Sequence, residues 1–318
     1  MRRIAMVTSG GDAPGMNPAI RAVVTAAAGQ GIEVVGVRRG FLGLSRAEGD
    51  VLTAAAVEPL CNQGGTMLLS ARFPAMKDPS RVAECADGVG RLGAEALIVV
   101  GGEGSLQGSR ALAEHGVKVV HVPSTIDNDI YGTDITIGVD TCLNTILTLM
   151  DSIRDTASSM QRTIVVEVMG RLSGYLTLMG AIGVGAHAAV IPERPFPWDA
   201  FRARLAAGGH GHVLLCAEGA MPARDVAKRI GELTGTEPRV SVLGYIQRGG
   251  TPSFFDRLLG ARLGEAAVEA VAGGATGKMI SYRDGKCIPV PIKDIAGRRR
   301  IIQPEVFELA KRMQILFE

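Results

Sequence analysis

Three apolar runs constrain this chain most, because each ends in a small, polar loop that carries an acid, two of them rich in glycine. Ile4–Thr8 leads into SGGDAPG (9–15), Ala96–Val100 into GGEGS (101–105), and VVHVP (119–123) into STIDND (124–129). Near-continuous runs of this kind read as parallel strands buried on both faces. In open α/β sheets, ligands bind at the carboxyl ends of such strands. Three strand ends carrying polar loops with carboxylates, two of them glycine-rich, point to phosphate chemistry.

Strand-like and helix-like stretches alternate along the rest of the chain. Pro18–Gly29 reads as a helix started by Asn17, since Asn caps and Pro tolerates the first helical position. Glu33–Val37 reads as a strand, Val82–Arg91 and Gln107–Glu114 as helices. A second series follows: helices at Asn144–Asp155 and Tyr175–Gly183, strands at Thr163–Val168, Ala188–Ile191, His212–Cys216 and Arg239–Leu243. Asp256–Ala272 and Gln303–Phe317 close the chain as helices, and RPFPW (194–198) reads as a surface turn. The alternation predicts an α/β protein with doubly wound, mostly parallel sheets. A length of 318 residues leaves room for two lobes.

Composition removes several classes. A net charge of +2 gives no reason to expect nucleic acid, and 4% aromatics no base-stacking surface. Cys61, Cys85, Cys142, Cys216 and Cys287 are scattered without a C-x-x-C pair, which fits reduced thiols in a cytoplasmic chain. No run of 18 apolar residues suggests a membrane span, and MRRIAMVTSGG does not read as a signal peptide. His210 and His212 flank Gly211 with no further ligands nearby, so no metal site is expected there. RRR (298–300) reads as a solvated loop. GGATGK (273–278) departs from a P-loop, because its glycine spacing is short and Met279 follows Lys278. G-E-G-S-L-Q fails the dinucleotide fingerprint at Gln107.

The remaining motifs divide the work of phosphoryl transfer. Gly-rich loops before helices cradle phosphate oxygens with backbone N–H groups. Glu103 offers a carboxylate for magnesium. Asp127 and Asp129, two apart, would share a side of an extended segment, one as base and one beside the metal. Arg72 can clamp a phosphate, and Arg162, Arg171, Arg239 and Arg248 come from four strand ends or turns. Each motif has a plainer reading when taken alone: an exposed Glu on a tight turn, an Asx-rich turn, solvated arginines.

Together, TSGGDAPGMN (8–17), SARFP (70–74), GGEGS (101–105), TIDNDIYGTD (125–134), TIGVDT (136–141), VVEVMGR (165–171) and VLGYIQRGG (242–250) make the chain resemble the bacterial ATP-dependent 6-phosphofructokinase family over nearly its whole length. The resemblance implies two similar lobes, 1–138 plus about 252–300 and 139–251 plus 301–318, with the active site in the cleft between them. It implies transfer of phosphate from MgATP to the 1-hydroxyl of fructose 6-phosphate. Asp127 would be the base, with Thr125 and Arg171 stabilising the moving group. Gly11, Arg72, Phe73, Gly102, Gly104, Ser105 and Gly108 would bind ATP, and Glu103 and Asp129 would hold Mg2+. Arg162, Met169, Gly170, Glu218, Arg239, Tyr245 and Arg248 would join Thr125, Asp127 and Arg171 at the sugar phosphate. It further implies a cytoplasmic, allosteric homotetramer of glycolysis, with active sites shared between subunits.

Departures from the family pattern are specific. GGEGS stands for the usual GGDGS, PSTIDND for PGTIDND, and Tyr245 for a usual His. Relatives that use pyrophosphate typically carry Asp at position 104 and Lys at position 124. Gly104 and the small, neutral Ser124 therefore favour ATP. At the effector site Arg21, Arg154 and Gly185 match, but Thr25, Ala54, Ala207 and Gly209 replace cations and His187 replaces an acid. Weak effector control is expected.

Overall fold

The computed structural model describes residues 1–207 and 211–315. The reading of His210, the effector position Gly209 and the end of the last expected helix, Phe317, lie outside these residues. The chain forms two compact units, Met1–Thr141 with Arg248–Arg300, and Cys142–Gln247 with Ile301–Glu318.

The first unit begins β1 (Arg3–Ser9), α1 (Met16–Gly29), β2 (Glu33–Val37), α2 (Gly40–Arg46), β3 (Gly49–Leu52) and α3 (Ala54–Val57). It continues α4 (Pro79–Arg91), β4 (Leu97–Gly101), α5 (Glu103–Glu114) and β5 (Val119–Pro123). The second runs α6 (Val139–Ser159), β6 (Ile164–Val168), α7 (Tyr175–Val184), β7 (Ala188–Val190), α8 (Trp198–Ala206), β8 (Val213–Ala217), α9 (Ala223–Thr234) and β9 (Arg239–Val242), with α6 starting in the first unit. The chain then returns to the first unit with α10 (Phe254–Ala272), β10 (Lys278–Arg283), β11 (Lys286–Pro291) and α11 (Ile292–Ile295). It finishes in the second with α12 (Pro304–Arg312).

The first sheet has seven strands in the order β11-β10-β5-β4-β1-β2-β3. Its interior pairs are parallel, and β3 and β11 close the two edges antiparallel. The four strands of the second sheet, β7-β8-β6-β9, are all parallel. The central strands are buried along their full length because helices cover both faces: every residue of β4, β5 and β8 is buried. One core cluster of the first unit joins Val7, Val37, Phe41, Leu44, Cys85, Leu97, Val99, Leu112 and Val119. In the second unit Val165, Ala188, Phe201, Leu214, Cys216, Val226 and Ile230 pack together.

Several elements differ from the sequence expectation for local reasons. The helix after GGEGS starts within the motif, at Glu103, since Gly102 takes an extended N-cap conformation and the Leu106 N–H already reaches its carbonyl (2.9 Å). RPFPW is a turn only as far as Pro197. Trp198 opens α8, and Phe196 packs edge-on against it at 4.8 Å. The final helix stops at Arg312. Among the described residues no helix is long and apolar enough to cross a membrane.

Candidate active site

The carboxyl ends of β5, β4 and β1 lie side by side, because the three strands are neighbours in register: Gly101 pairs with Pro123 on one side and with Ser9 on the other. The three loops picked out in the sequence therefore emerge at one edge of one sheet. SARFP joins them from outside the sheet. The Ser70 hydroxyl donates to the Gly10 carbonyl (2.8 Å), and the Gly10 N–H donates to the Ala71 carbonyl (3.3 Å). Arg72 follows, exposed, while Phe73 packs its ring partly into the core cluster under α2 and α4.

Glycine is required here by close approach. A Cβ on Gly101 would lie 2.6 Å from the Ser9 carbonyl oxygen, and one on Gly108 2.6 Å from the Phe41 ring, so Gly108 seats α5 against the core. A Cβ on Gly104 would meet nothing within 4 Å: the start of α5 faces open space. Ser105 is buried, with its hydroxyl near Gly10. An N-terminal helix turn behind an open glycine presents N–H groups and a positive dipole end to an anion. Across β1, the Arg248 guanidinium lies 3.6 Å from where a Gly11 Cβ would stand and 4.0 Å from the Asp12 carboxylate. Arg248 thus shares the first unit with the glycine loops, and Asp12, which sequence reasoning left without a role, is its acidic neighbour.

The TIDND segment is not extended, contrary to the expectation that alternation places its two acids. Asn128 adopts a left-handed conformation (φ 48°), which Asn tolerates better than most residues. The Thr125 hydroxyl accepts the Asp127 N–H (3.2 Å), and Asn128 Oδ1 accepts the Thr136 N–H (3.2 Å). A turn, not strand pleating, presents the acids. Asp127 is buried at 6% exposure, and Asp129 is half-buried.

Arg298 and Arg299 are exposed, as a solvated loop would be, but the backbone of Arg298–Arg300 is tied to the acidic turn. Ile130 and Arg299 form an antiparallel bridge, and the Arg300 N–H donates to the Asp129 carbonyl (3.0 Å). The Arg298 guanidinium stacks on the Tyr131 ring at 3.8 Å. This segment, from far along the chain, backs the acidic turn. The sequence signal for it was the charge run itself, which carries no register information.

Glu103 is half-buried on the first turn of α5. Its Oε1 accepts from Gln107 Nε2 (2.8 Å) and from the Gly297 N–H (3.1 Å). Its Oε2 is buried without a hydrogen-bond partner. Burial raises the carboxyl above its ordinary range, the Asp129 charge adds to this, and Gln107, Gly297 and Arg299 oppose it. An orphaned buried carboxylate oxygen beside a second carboxylate suits a hard divalent cation. Among the described residues no group of three His, Cys, Asp or Glu could hold a metal by itself. Any cation here must complete its shell with water and phosphate oxygens, as magnesium does at nucleotide sites.

In the second unit, the loop after β6 is built by strain. Gly170 (φ 142°) and Arg171 (φ 53°) both leave the ordinary regions, and a Gly170 Cβ would stand 2.4 Å from the Ser173 carbonyl oxygen. Glu218 Oε1 holds this bend by accepting the Gly170 (3.3 Å) and Arg171 (2.8 Å) N–H groups. The Met169 N–H donates to Gln247 Oε1 (3.2 Å), and Gln247 Nε2 donates to the Gly244 carbonyl (3.0 Å). Gln247, fully buried, is a positioning residue that the YIQRGG motif did not single out. Arg162 and Arg239 are exposed, Arg239 as the first residue of the edge strand β9, and Tyr245 is 78% exposed.

The residues expected at an effector site come from both units. Arg21 is exposed on α1. Arg154 is already engaged: its guanidinium donates to the Val184 and Gly185 carbonyls at the end of α7. His187 accepts the Val213 N–H (3.1 Å) and packs edge-on against His212, which with burial lowers its pKa to about 4.

Comparison with known proteins gives a consistent picture. The phosphofructokinase family model matches residues 3–271. An ATP-dependent 6-phosphofructokinase of Bacillus cereus (strain B4264) is 43% identical over 319 residues, covering 99% of this chain and all of that one. The Pichia pastoris phosphofructokinase in its T-state superposes with a TM-score of 0.88 at 32% identity over 98% of this chain, which spans 37% of the Pichia chain. A pyrophosphate-dependent phosphofructokinase from Marinobacter aquaeolei shares the fold, with a TM-score of 0.80 at 19% identity over all of this chain and 93% of that one.

Proposed function

The chain belongs to the phosphofructokinase family, and from that premise we propose that it transfers the γ-phosphoryl group of ATP to the 1-hydroxyl of fructose 6-phosphate. The observation that carries the reading is the adjacency of β5, β4 and β1. One sheet edge holds an acidic turn, a helix N-terminus behind an open glycine, and a second glycine loop. These are a base, a phosphate cradle and a nucleotide loop.

In this reading Asp127 accepts the proton of the 1-hydroxyl as its oxygen bonds to the γ-phosphorus and the bond to the β,γ-bridging oxygen breaks. ADP leaves with that electron pair. Little covalent chemistry is asked of the protein, so orientation and charge stabilisation supply most of the rate. Thr125 and Arg171 stabilise the moving group. Gly11, Arg72, Phe73, Gly102, Gly104, Ser105 and Gly108 take ATP, with N–H groups of the α5 first turn facing phosphate oxygens. Mg2+, when bound by Glu103 and Asp129, neutralises charge on the phosphates. The sugar phosphate falls to Arg162, Met169, Gly170, Glu218, Arg239, Tyr245 and Arg248. Tyr245 can give a hydrogen bond but no positive charge, so it orients the sugar phosphate without adding attraction. The enzyme is cytoplasmic, a homotetramer sharing active sites between subunits, and responds weakly to effectors because Arg154 is spent on helix carbonyls.

ATP is favoured over pyrophosphate because position 104 carries glycine, not the Asp typical of pyrophosphate users, and a Cβ there would meet nothing within 4 Å. The test is formation of fructose 1,6-bisphosphate from fructose 6-phosphate, with ATP and pyrophosphate offered separately. Turnover with ATP is expected. Turnover with pyrophosphate alone would transfer the assignment to the other donor.

A further inference from the structure

The glutamate at position 103 needs a support that a shorter aspartate would not. A Glu side chain carries one more rotatable methylene, so its carboxylate must be fixed in place before it can serve a cation. The fold supplies two donors to the same oxygen. Gln107 lies one helical turn along α5 from Glu103, at the i+4 spacing that brings side chains together, and its Nε2 donates to Oε1 at 2.8 Å. The Gly297 N–H donates to the same Oε1 at 3.1 Å from a residue 194 positions away. The other oxygen, Oε2, is buried with no partner.

Gly297 is itself held in place. Leu106 of α5, Ile130 of the acidic turn, Met279 of β10, and Ile292 and Ile295 of α11 form one buried cluster, with Ala296 packed against it. The Ala296 N–H donates to the Ile292 carbonyl (2.8 Å). Gly297 then turns at φ 84°, a conformation that side chains rarely adopt, and points its N–H at Glu103. Three residues on, Arg300 ties the same segment to the Asp129 carbonyl. One return segment thus holds the Glu103 carboxylate and the Asp129 backbone.

We propose that Gln107 and the Gly297 amide are positioning groups that grip Glu103 by Oε1 and thereby present Oε2, beside Asp129, to the divalent cation of the bound nucleotide. The inference rests on the reading of this site as a Mg-nucleotide site. Groups that orient a metal-ligating carboxylate by hydrogen bonding typically contribute 10–100-fold in metal affinity. Gln107→Met keeps the length of the side chain and removes the donor. Glu103→Asp withdraws the carboxylate from Gln107.

The decisive measurement is Mn2+ affinity of the full-length protein saturated with a non-hydrolysable ATP analogue, read by electron paramagnetic resonance. Gln107→Met is expected to weaken Mn2+ binding roughly tenfold in the parent chain, with the analogue's own affinity in the absence of metal unchanged. In the Glu103→Asp background the same substitution is expected to change Mn2+ affinity less than twofold, because the gripped oxygen is gone. A thermal midpoint measured on each variant separates loss of folding from loss of grip. Equal Mn2+ affinity for the parent and Gln107→Met would overturn the proposal while leaving the nucleotide site intact. An equal loss in both backgrounds would also overturn it, since the effect would not run through Glu103. A parent chain that binds the analogue but no Mn2+ would overturn both the proposal and the Mg-nucleotide reading beneath it.

Discussion

Two buried titrating groups of the first unit, on β5 and α10, should oppose one another as pH falls. His121, on β5, is fully buried, with one ring nitrogen 3.0 Å from the Ser109 hydroxyl of α5 and the other 3.0 Å from the Gly101 carbonyl that ends β4. It therefore couples α5 to β4. Burial lowers its pKa from 6.5 to about 4, against a weaker opposing effect of the Gly101 carbonyl. A depressed folded-state pKa means stability present above pH 6.5 and lost as pH falls towards 4. Asp256, fully buried on α10, accepts the Gly138 and Thr141 N–H groups and the Thr141 hydroxyl, yet burial raises its pKa from 3.8 to about 6. A raised pKa means stability present below pH 3.8 and lost as pH rises through 6. Between pH 7.5 and pH 5, protonation linkage makes His121 remove about 2 kcal/mol and Asp256 restore about 1 kcal/mol. The assay is the urea midpoint of parent, His121→Gln and Asp256→Asn at both values, taking differences between variants so that shared titrations cancel. Relative to parent, His121→Gln should lose about 2 kcal/mol less on acidification, and Asp256→Asn about 1 kcal/mol more. Parallel pH dependence in parent and His121→Gln would refute the claim that burial keeps this imidazole neutral.

Other outcomes follow from single contacts. Asp127→Asn should lower kcat by roughly 10²–10⁴-fold, the usual contribution of a positioned base, with the thermal midpoint unchanged; equal kcat would remove Asp127 from the base role. Gly104→Ala meets nothing within 4 Å. It should therefore keep its stability while raising KM for ATP, and an unchanged KM would mean that the nucleotide lies elsewhere. Gly170→Ala must place a Cβ 2.4 Å from the Ser173 carbonyl at φ 142°, which strains the bend by about 1–3 kcal/mol; calorimetry showing no loss would contradict the bend. Cys85 and Cys216, whose thiols burial pushes up to about 12, should resist iodoacetamide at pH 8 in the native state, while exposed Cys61 reacts. Intact-mass spectra showing modification of Cys85 or Cys216 would indicate local opening.

The buried strands were legible because their pattern has one cause. β1, β2, β4 and β5 are largely apolar because helices cover both faces, and short β-branched runs of strand length between turn signals read as central strands. The edges of the first sheet escaped for the converse reason. β3 alternates weakly over four half-exposed residues, and β11 carries Pro289 and Pro291, which argue against a strand unless it lies at an edge. The turn between β10 and β11 did carry a signal. Asp284–Gly285, both at positive φ (47° and 74°), is the Asp-Gly pair that two-residue hairpins favour. The amphipathic α9 was passed over, although its buried Val226, Ala227 and Ile230 recur at helical spacing.

The site divides along the same line between local and long-range causes. Gly102, Glu103 and Ser105, or Thr125 and Asp127, are adjacent in sequence, so the chemistry they share is written in short motifs. What fixes them comes from far along the chain. The Gly297 amide reaches Glu103 across 194 positions, Arg300 reaches the Asp129 carbonyl, and Asp256 holds Gly138 and Thr141 from α10. A hydrogen bond from a backbone N–H carries no requirement on the donor's side chain, so Arg300 leaves no residue-type signature and Gly297 only the glycine that its φ of 84° favours. RRR consequently read as charge when its part in the site is played by its backbone and by the Arg298–Tyr131 stack. The same logic explains Gln107. As one polar residue on a half-exposed helix face it is unremarked, and it acquires a role only when the carboxylate four positions earlier is a glutamate long enough to reach it. A family position occupied by an atypical acid is therefore a place to look for an accompanying donor, and in this chain the donor is one helical turn away.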